Sequence, residues 1–395
     1  MVDVGGAPSR GRRSPRRVAV RRRVAEHRGT GSRHKRLPAV AGRTEDALRA
    51  LTVIPRVTDS VAVLDVPDPL PGSGDLLVDG LAVGICGTDR EIAAAEYGTA
   101  PPGRERLVIG HESLGRVREA PDGSGFAPGD LVVGVVRRPD PVPCGACAHG
   151  HFDMCRNGRY TERGIKDVDG YASEAWCVEA DYAVALDASL ESVGTLLEPT
   201  SVVAKAWDQI ERIGSRSWFE PERVLVTGAG PIGLLAALLA RQRGFDVHVL
   251  DRVTGGAKPE LVAALGGEYH CTTVPELDFE PDVVIEATGA PTVVLDVMCK
   301  AARSGIVCLT GVSTGGRTLD FDAGALNRSL VLENTVVFGS VNANRRQWEA
   351  AARALAEADP AWLGGLISRR LPVGAYASAY APGGDDIKVV VEFDR

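Results

Sequence analysis

No stretch of this 395-residue sequence comes near the roughly 18 to 20 consecutive apolar residues that a membrane helix needs, so no membrane span is expected. The arginines near its N-terminus are never followed by an apolar h-region, so they do not resemble a secretory signal, and the cytoplasm is the expected compartment. No internal repeat is visible. Basic charge is scarce in the body of the chain. Residues 1–50 carry 14 Arg and Lys against 4 Asp and Glu, whereas the remainder carries 31 against 48. That acidic balance argues against a nucleic-acid partner for the body. What is present, 44% hydrophobic and 25% charged residues, is globular composition, and the length fits two domains plus a tail.

The tail is residues 1–45, Arg-rich, nearly free of large apolar residues and without periodicity. It reads as a disordered basic segment or an over-long start; the competing reading is a nucleic-acid or targeting arm. Order is expected from about Ala47, where ALRALTVIP reads as a first strand. Short β-rich runs (DLLVDGLAVGI, HESLGRVREA, DLVVGVV, WCVEADYAVAL) then alternate with Gly, Pro and Asp turns, the pattern of a compact β-barrel-like domain over 46–200. After Glu198 the texture changes to helix and strand in alternation, from PTSVVAKAWDQIERI through VLVTGAG, VHVLDR and DVVIEATG to GIVCLTGV. Such βαβ units predict an α/β domain with a parallel sheet over 201–342. A helix and a β-like end, IKVVVEF, close the chain, so residues 343–395 are expected to return to the first domain.

VLVTGAGPIGLLAALLA sets Gly228, Gly230 and Gly233 between a buried strand and a helix. The first glycine allows the tight turn, the second lets backbone approach a pyrophosphate, and the third lets helix and strand pack closely. Pro231 and Ile232 complete the loop, and Thr288, at the end of DVVIEATG, is counted with the coenzyme contacts. The next strand ends in Asp251, 18 residues past Gly233, where an acid accepts from a ribose 2′-hydroxyl and repels a 2′-phosphate. NAD is therefore preferred. Arg252 follows at once and would receive that phosphate, which keeps NADP possible.

The eight cysteines are unevenly spread, three of them within residues 144–155, which points to metal ligation before disulfides. GICGTDREI supplies Cys86, and IGHESLGRV supplies His111 and Glu112. Singly, a core thiol and a satisfied histidine are the better readings. Together, thiolate, imidazole and carboxylate suit Zn2+ with a position left open for a substrate oxygen. Gly84, Gly87, Gly110 and Gly115 flank both segments and suggest tight turns aimed inward. Cys177, Cys271, Cys299 and Cys308 lie in apolar runs and read as core thiols.

GxCGTD, GHExxGxV and GAGPIG, in this order, resemble the zinc-containing medium-chain dehydrogenase/reductase superfamily over about residues 47–395. The resemblance implies a GroES-like catalytic domain split around a Rossmann doubly wound domain, the active site in the cleft between them, and homodimers or homotetramers joined by edge strands. It also implies that PCGACAHGHFDMC is a structural-zinc lobe holding Cys144, Cys147 and Cys155 without a first cysteine. The missing position falls near Pro141, leaving Asp140 or Asp153 as substitute acids; His149 and His151 read as solvated.

MCRNGRYTERGIKDVDGYASEAW and LLEPTSVVAKAW are similar to the glucose dehydrogenase branch. By that likeness Glu162 contacts sugar hydroxyls, Glu198 stands at the catalytic zinc, and Asn342 lies near nicotinamide and substrate. A polyol does need several acceptors around the reacting carbon, although Glu162 also reads as a surface acid and Asn342 as a turn residue. Many relatives carry a relay His where this chain has Glu91, so Thr88 is expected to pass its proton by another route. The reaction implied is NAD(P)-linked oxidation of an aldose, glucose first, at C1. Its hydroxyl, made acidic at zinc held by Cys86, His111 and one or both of Glu112 and Glu198, gives a proton to Thr88 while C1 gives its hydride to nicotinamide C4, leaving an aldonolactone. The competing readings are a polyol, inositol or threonine dehydrogenase, and a non-catalytic nucleotide-binding protein.

Overall fold

The computed structural model describes residues 48–313, 315, 318–381 and 383–393; the basic segment 1–45, with both readings given for it, lies outside them. Among the described residues no helix is long and apolar enough to cross a membrane.

The first half is built on Asp75–Ile85, an eleven-residue strand whose apolar run is buried along most of its length. It anchors a sheet in the order Ala183–Leu186, Leu131–Gly134, Glu112–Glu119, Asp75–Ile85, Lys388–Glu392, Ile367–Pro372, while Ala175–Glu179 pairs with its other stretch. Leu48–Val53 pairs with Ala62–Val66 and Leu107–Val108 in a smaller sheet.

The second half is a six-stranded sheet in the order Glu268–His270, Asp246–Leu250, Arg223–Thr227, Val283–Glu286, Ile306–Leu309, Val336–Gly339, parallel throughout. Numbered along the chain this is 3-2-1-4-5-6, the doubly wound order, with its switch point beside Arg223–Thr227. The helix Pro231–Gln242 follows that strand and buries Leu234 to Ala240 without a break, as a helix packed against the sheet requires.

Residues 343–395 do not go straight back to the first sheet. The helix Arg345–Ala356 packs on Leu197–Gly214, and Pro360–Gly365 packs on Ala257–Ala264, where Trp362 Nε1 donates to Leu261 O at 2.9 Å. The return to the first sheet begins only at Ile367, because the apolar faces of these two helices are buried among Rossmann helices. Two of the four outlying cysteines also differ from expectation. Cys308 is buried and Cys177 half-buried, but Cys271 and Cys299 are exposed, since apolar neighbours along a helix or strand end do not fix which face one residue takes.

One buried ion pair ties the halves together. Lys205, on Leu197–Gly214, sits 2.7 Å from Asp153 Oδ2 with both side chains almost wholly buried, and Nζ also donates to Val341 O. Asn344 Nδ2 donates to Asp153 Oδ1 at 2.9 Å. Lys205→Met strands the Asp153 charge in this interior and is expected to cost about 3–5 kcal/mol in urea unfolding, most of it recovered in Lys205→Met/Asp153→Leu.

Candidate active site

Cys86 is the N-cap of the short helix Gly87–Ala93 and closes a capping box. Its Sγ accepts from Thr88 N at 3.2 Å, and Asp89 Oδ2 accepts from Cys86 N at 2.9 Å. His111 follows Gly110, whose φ of +88° admits no ordinary side chain. Its Nε2 lies 3.0 Å from Cys86 Sγ, and its Nδ1 faces Asp89 Oδ1 at 3.5 Å. Glu112 starts the strand beside Asp75–Ile85, directly opposite Gly84, where a Cβ would stand 2.0 Å from Glu112 Oε2. Gly84 is thus a strand residue that makes room for the carboxylate, and Gly115 likewise faces Val78 and Trp176; neither is the inward turn expected of them.

Lys388, from the last strand, binds both oxygens of Glu112 at 2.6 and 2.7 Å, and the pair is fully buried. Neither Lys388 nor the role of Asp89 emerged from sequence motifs. The signal for Lys388 was a lone cation in the apolar run IKVVVEF, which burial obliges to find a partner. Glu198, in the first turn of Leu197–Gly214, stands outside the Cys86–His111–Glu112 triad but within its field.

The donor set suits zinc, with Glu112 sharing its oxygens between the ion and Lys388. Cys86 Sγ, a His111 nitrogen and a Glu112 oxygen lie within 4.8 Å of one another. Zinc bonds of about 2.3 Å to sulfur and 2.0–2.1 Å to nitrogen put those two atoms about 3.5 Å apart in a tetrahedron, so the 3.0 Å contact opens by only about half an ångström. Asp89 behind His111 supplies the carboxylate that orients a ligating imidazole. Burial lifts the Cys86 thiol against the pull of His111. Burial would lower His111, but the Cys86 and Asp89 charges hold it well above 6.5. Burial, opposed by His111 and reinforced by Glu112, pushes Glu198 up to about 7.

In the lobe, the Cys144, Cys147 and Cys155 sulfurs also lie within 4.8 Å of one another, and Arg156 N donates to Cys144 Sγ at 3.4 Å. A closed structural zinc takes four ligands, and among the described residues no fourth His, Cys, Asp or Glu joins the group. Neither substitute acid fits. Asp140 accepts from Val142 N and Arg159 Nε, and Asp153 is spent on Lys205 and Asn344. His149 is exposed, with Nδ1 2.7 Å from Gly145 O, and His151 is half-buried.

The coenzyme cleft opens at the switch point. Gly228 has φ +92°, a Cβ on Gly233 would lie 1.7 Å from Gly228 O, and a Cβ on Gly230 would meet nothing within 4 Å. That open space above the N-terminus of Pro231–Gln242, with Pro231 at its first turn and Ile232 beside it, fits a pyrophosphate. Asp251 is already engaged: Oδ2 accepts from Ala229 N at 2.6 Å and meets Lys258 Nζ at 3.4 Å. Arg252 is exposed, so two cations flank the acid. Thr288 is held by the fully buried Glu286, which accepts from Thr288 N at 2.7 Å, from its hydroxyl, and from Gly289 N.

Glu162 and Asn342 come together across the two halves. Asn342 Nδ2 donates to Glu162 Oε1 at 2.9 Å, and Arg137 Nε and Nη2 donate to the same oxygen. Asn342 takes a left-handed φ of 63°, so it is a turn residue as well as a contact. Arg137 is a further residue that motif reading missed. Thr88 is half-buried and Glu91 exposed on the helix after Cys86.

A doubly wound domain beside a β domain with a Cys, His and Glu metal triad defines the class as a zinc-type nicotinamide dehydrogenase. Residues 72–188 match the alcohol dehydrogenase GroES-like domain, and residues 191–393 match the glucose dehydrogenase C-terminus. A glucose 1-dehydrogenase of Methanocella arvoryzae is 39% identical over 87% of this chain and 99% of its own, and one of Thermoproteus tenax is 39% identical over the same shares. Among solved structures, a Haloferax mediterranei glucose dehydrogenase in complex with NADP, zinc and gluconolactone superimposes with a TM-score of 0.81 at 32% identity, covering 88% of this chain and 99% of that one. The chain belongs to the glucose dehydrogenase branch of the zinc-containing medium-chain dehydrogenase/reductase superfamily.

The apo site at pH 7 stores protons on the Cys86–His111 pair and on Glu198. Zinc binding therefore expels more than one proton per site near neutrality, and zinc affinity rises with pH through about 7. Calorimetry in two buffers of different ionisation heat measures this release, and Glu198→Gln is expected to remove about half a proton of it at pH 7.

Proposed function

We propose that the chain is a glucose 1-dehydrogenase, oxidising the sugar at C1 to the lactone with NAD or NADP. The observation that carries this reading is the Glu162–Asn342 hydrogen bond, which joins polar acceptors of the substrate half and the nicotinamide half in one cleft. A plain alcohol needs no such cluster, whereas a polyol needs several acceptors.

Zinc at Cys86, His111 and Glu112 or Glu198 supplies a Lewis acid that makes a hydroxyl more acidic, and nicotinamide supplies the hydride acceptor. The chain's own groups do the rest. Thr88 takes the proton of the C1 hydroxyl, and Glu91, three residues on along the same helix face, offers it a route to solvent. Glu162, held in place by Arg137, accepts from sugar hydroxyls, and Asn342 orients the ring against the nicotinamide. Asp251 favours the ribose diol of NAD, while Arg252 and Lys258 leave room for a 2′-phosphate. Cys144, Cys147 and Cys155 offer three sulfurs to a second zinc, whose fourth position no described His, Cys, Asp or Glu fills.

We place the enzyme in the cytoplasm, where eight unpaired cysteines stay reduced. The edge strand Val336–Gly339, with exposed Val331 and Leu332 on the preceding helix, suits an edge-to-edge homodimer or a tetramer built from it.

Coenzyme reduction measured across glucose, galactose, xylose, sorbitol, inositols and threonine tests the substrate. Glucose is expected to lead, and preference for an open-chain polyol overturns the assignment. Cys86→Ala and His111→Ala are expected to fall to background. Asn342→Ala should lose about tenfold in kcat/KM for glucose, the worth of one hydrogen bond of ~1.4 kcal/mol. Asp251→Ser shifts the kcat/KM ratio toward NADP.

A further inference from the structure

Away from the cleft, at the edge of the parallel sheet, a separate group of ligating side chains converges. His248 lies mid-strand in Asp246–Leu250, and Glu268 and His270 alternate along the neighbouring edge strand, so both face the same side. The parallel pairing sets His248 opposite Glu268 and Leu250 opposite His270. His248 Nδ1 and His270 Nε2 are 2.9 Å apart. Glu268 brings one oxygen to 3.7 Å from His248 Nδ1 and the other to 3.9 Å from His270 Nε2.

We propose that His248, His270 and Glu268 form a binding site for a divalent transition metal of the imidazole-preferring kind, zinc or nickel, distinct from the catalytic and lobe sites. Two nitrogens each bonded at about 2.0–2.1 Å to one ion stand about 2.9 Å apart at a right angle and about 3.3 Å apart in a tetrahedron, so the rings need move only a few tenths of an ångström. The second nitrogen of His248 is spoken for: Nε2 lies 3.2 Å from Asp246 Oδ2, the carboxylate partner that fixes the tautomer and turns the Nδ1 lone pair toward His270. Phe279 packs against both imidazoles, 4.1 Å and 5.8 Å between centroids, and restrains their rotation. A bare imidazole–imidazole hydrogen bond explains the 2.9 Å alone. It has no need of a Glu268 with an oxygen within 4 Å of each nitrogen and an Asp246 behind His248.

The site lies under the coenzyme's ribose loop. His270 O accepts from Asp251 N at 3.1 Å, Tyr269 Oη donates to Val253 O at 2.6 Å, and Cys271 Sγ lies 3.5 Å from Arg252 O. A metal clipping His270 to His248 therefore pins the edge strand from which Asp251–Val253 hangs.

The test counts zinc in the full-length chain after saturation and dialysis. His248→Phe, which keeps a ring against Phe279, and His270→Gln are each expected to carry one equivalent fewer than the parent. Cys86→Ala is expected to lose a different equivalent, so that Cys86→Ala/His270→Gln loses two. Glu268→Gln, an exposed change that folding tolerates, weakens zinc at this site about tenfold or more. Coenzyme KM rises several-fold in the two histidine variants while kcat stays within twofold. Equal zinc content and affinity in the parent, His270→Gln and Glu268→Gln overturn the site, and metal loss with an unchanged coenzyme KM overturns its link to the ribose loop. The count needs no turnover, so it stands or falls separately from the sugar assignment.

Discussion

Around the triad, Cys86, Asp89, Glu112 and Glu198 are able to carry negative charge, and among the described residues His111 and Lys388 are the cations that act on them most. Fully ionised, the cluster is short by two positive charges in a place that water screens poorly. Unit charges about 4 Å apart interact by about 4 kcal/mol even at an effective dielectric of 20, so the shortfall shapes every group in the site. Protons answer it in part: burial first, with Asp89 beside Cys86 and Glu112 beside Glu198 adding to it, holds both groups above their ordinary pKa. A divalent cation supplies the same two charges at once. The carboxylate-rich composition thus defines both the charge of the ion and the protons it must displace, and it predicts a weaker Lewis acid than a site with fewer anions around the metal.

The fold delivers this cluster by strand pairing across great sequence distance. Asp75–Ile85 carries the approach to Cys86 and, at Gly84, the gap for Glu112 from its neighbour on one side. Its neighbour on the other side, Lys388–Glu392, brings the ammonium from 276 residues away. Without the chain's late return to the first sheet, Glu112 would be buried uncompensated. The detour of residues 343–366 over the Rossmann helices is therefore followed by a step that the metal site requires.

Much of this was legible in the residues. The strand–glycine–helix run around Gly228 and the alternation after Glu198 marked the parallel sheet, because apolar periodicity is local. The Cys86, His111 and Glu112 triad was legible because its residue types make little sense singly and good sense together. What the pattern hid was pairing. Lys388, Asp89, Arg137 and Lys205 are ordinary charges in the sequence, and only strand register and helix packing bring each to its partner. Gly84 misled for the same reason, since its purpose is to leave space for a side chain on another strand. Asp153 looked like a spare metal ligand near the lobe cysteines, yet it faces the interior and Lys205.

The two side-chain contacts that carry Asp153 and Glu162 across to the second half differ in kind. Lys205–Asp153 is a full ion pair with Asn344 completing it, deep in the interior, and separating it would strand charges at several kcal/mol each. Glu162–Asn342 is a single hydrogen bond on an oxygen that Arg137 also serves. Losing it leaves Glu162 paired. The first contact therefore fixes how the lobe and the Rossmann helices sit, while the second is cheap to open and re-form around a ligand. On the proposed function, that division suits a site admitting sugar and nicotinamide together: one contact too costly to break, and one that substrate hydroxyls are able to replace.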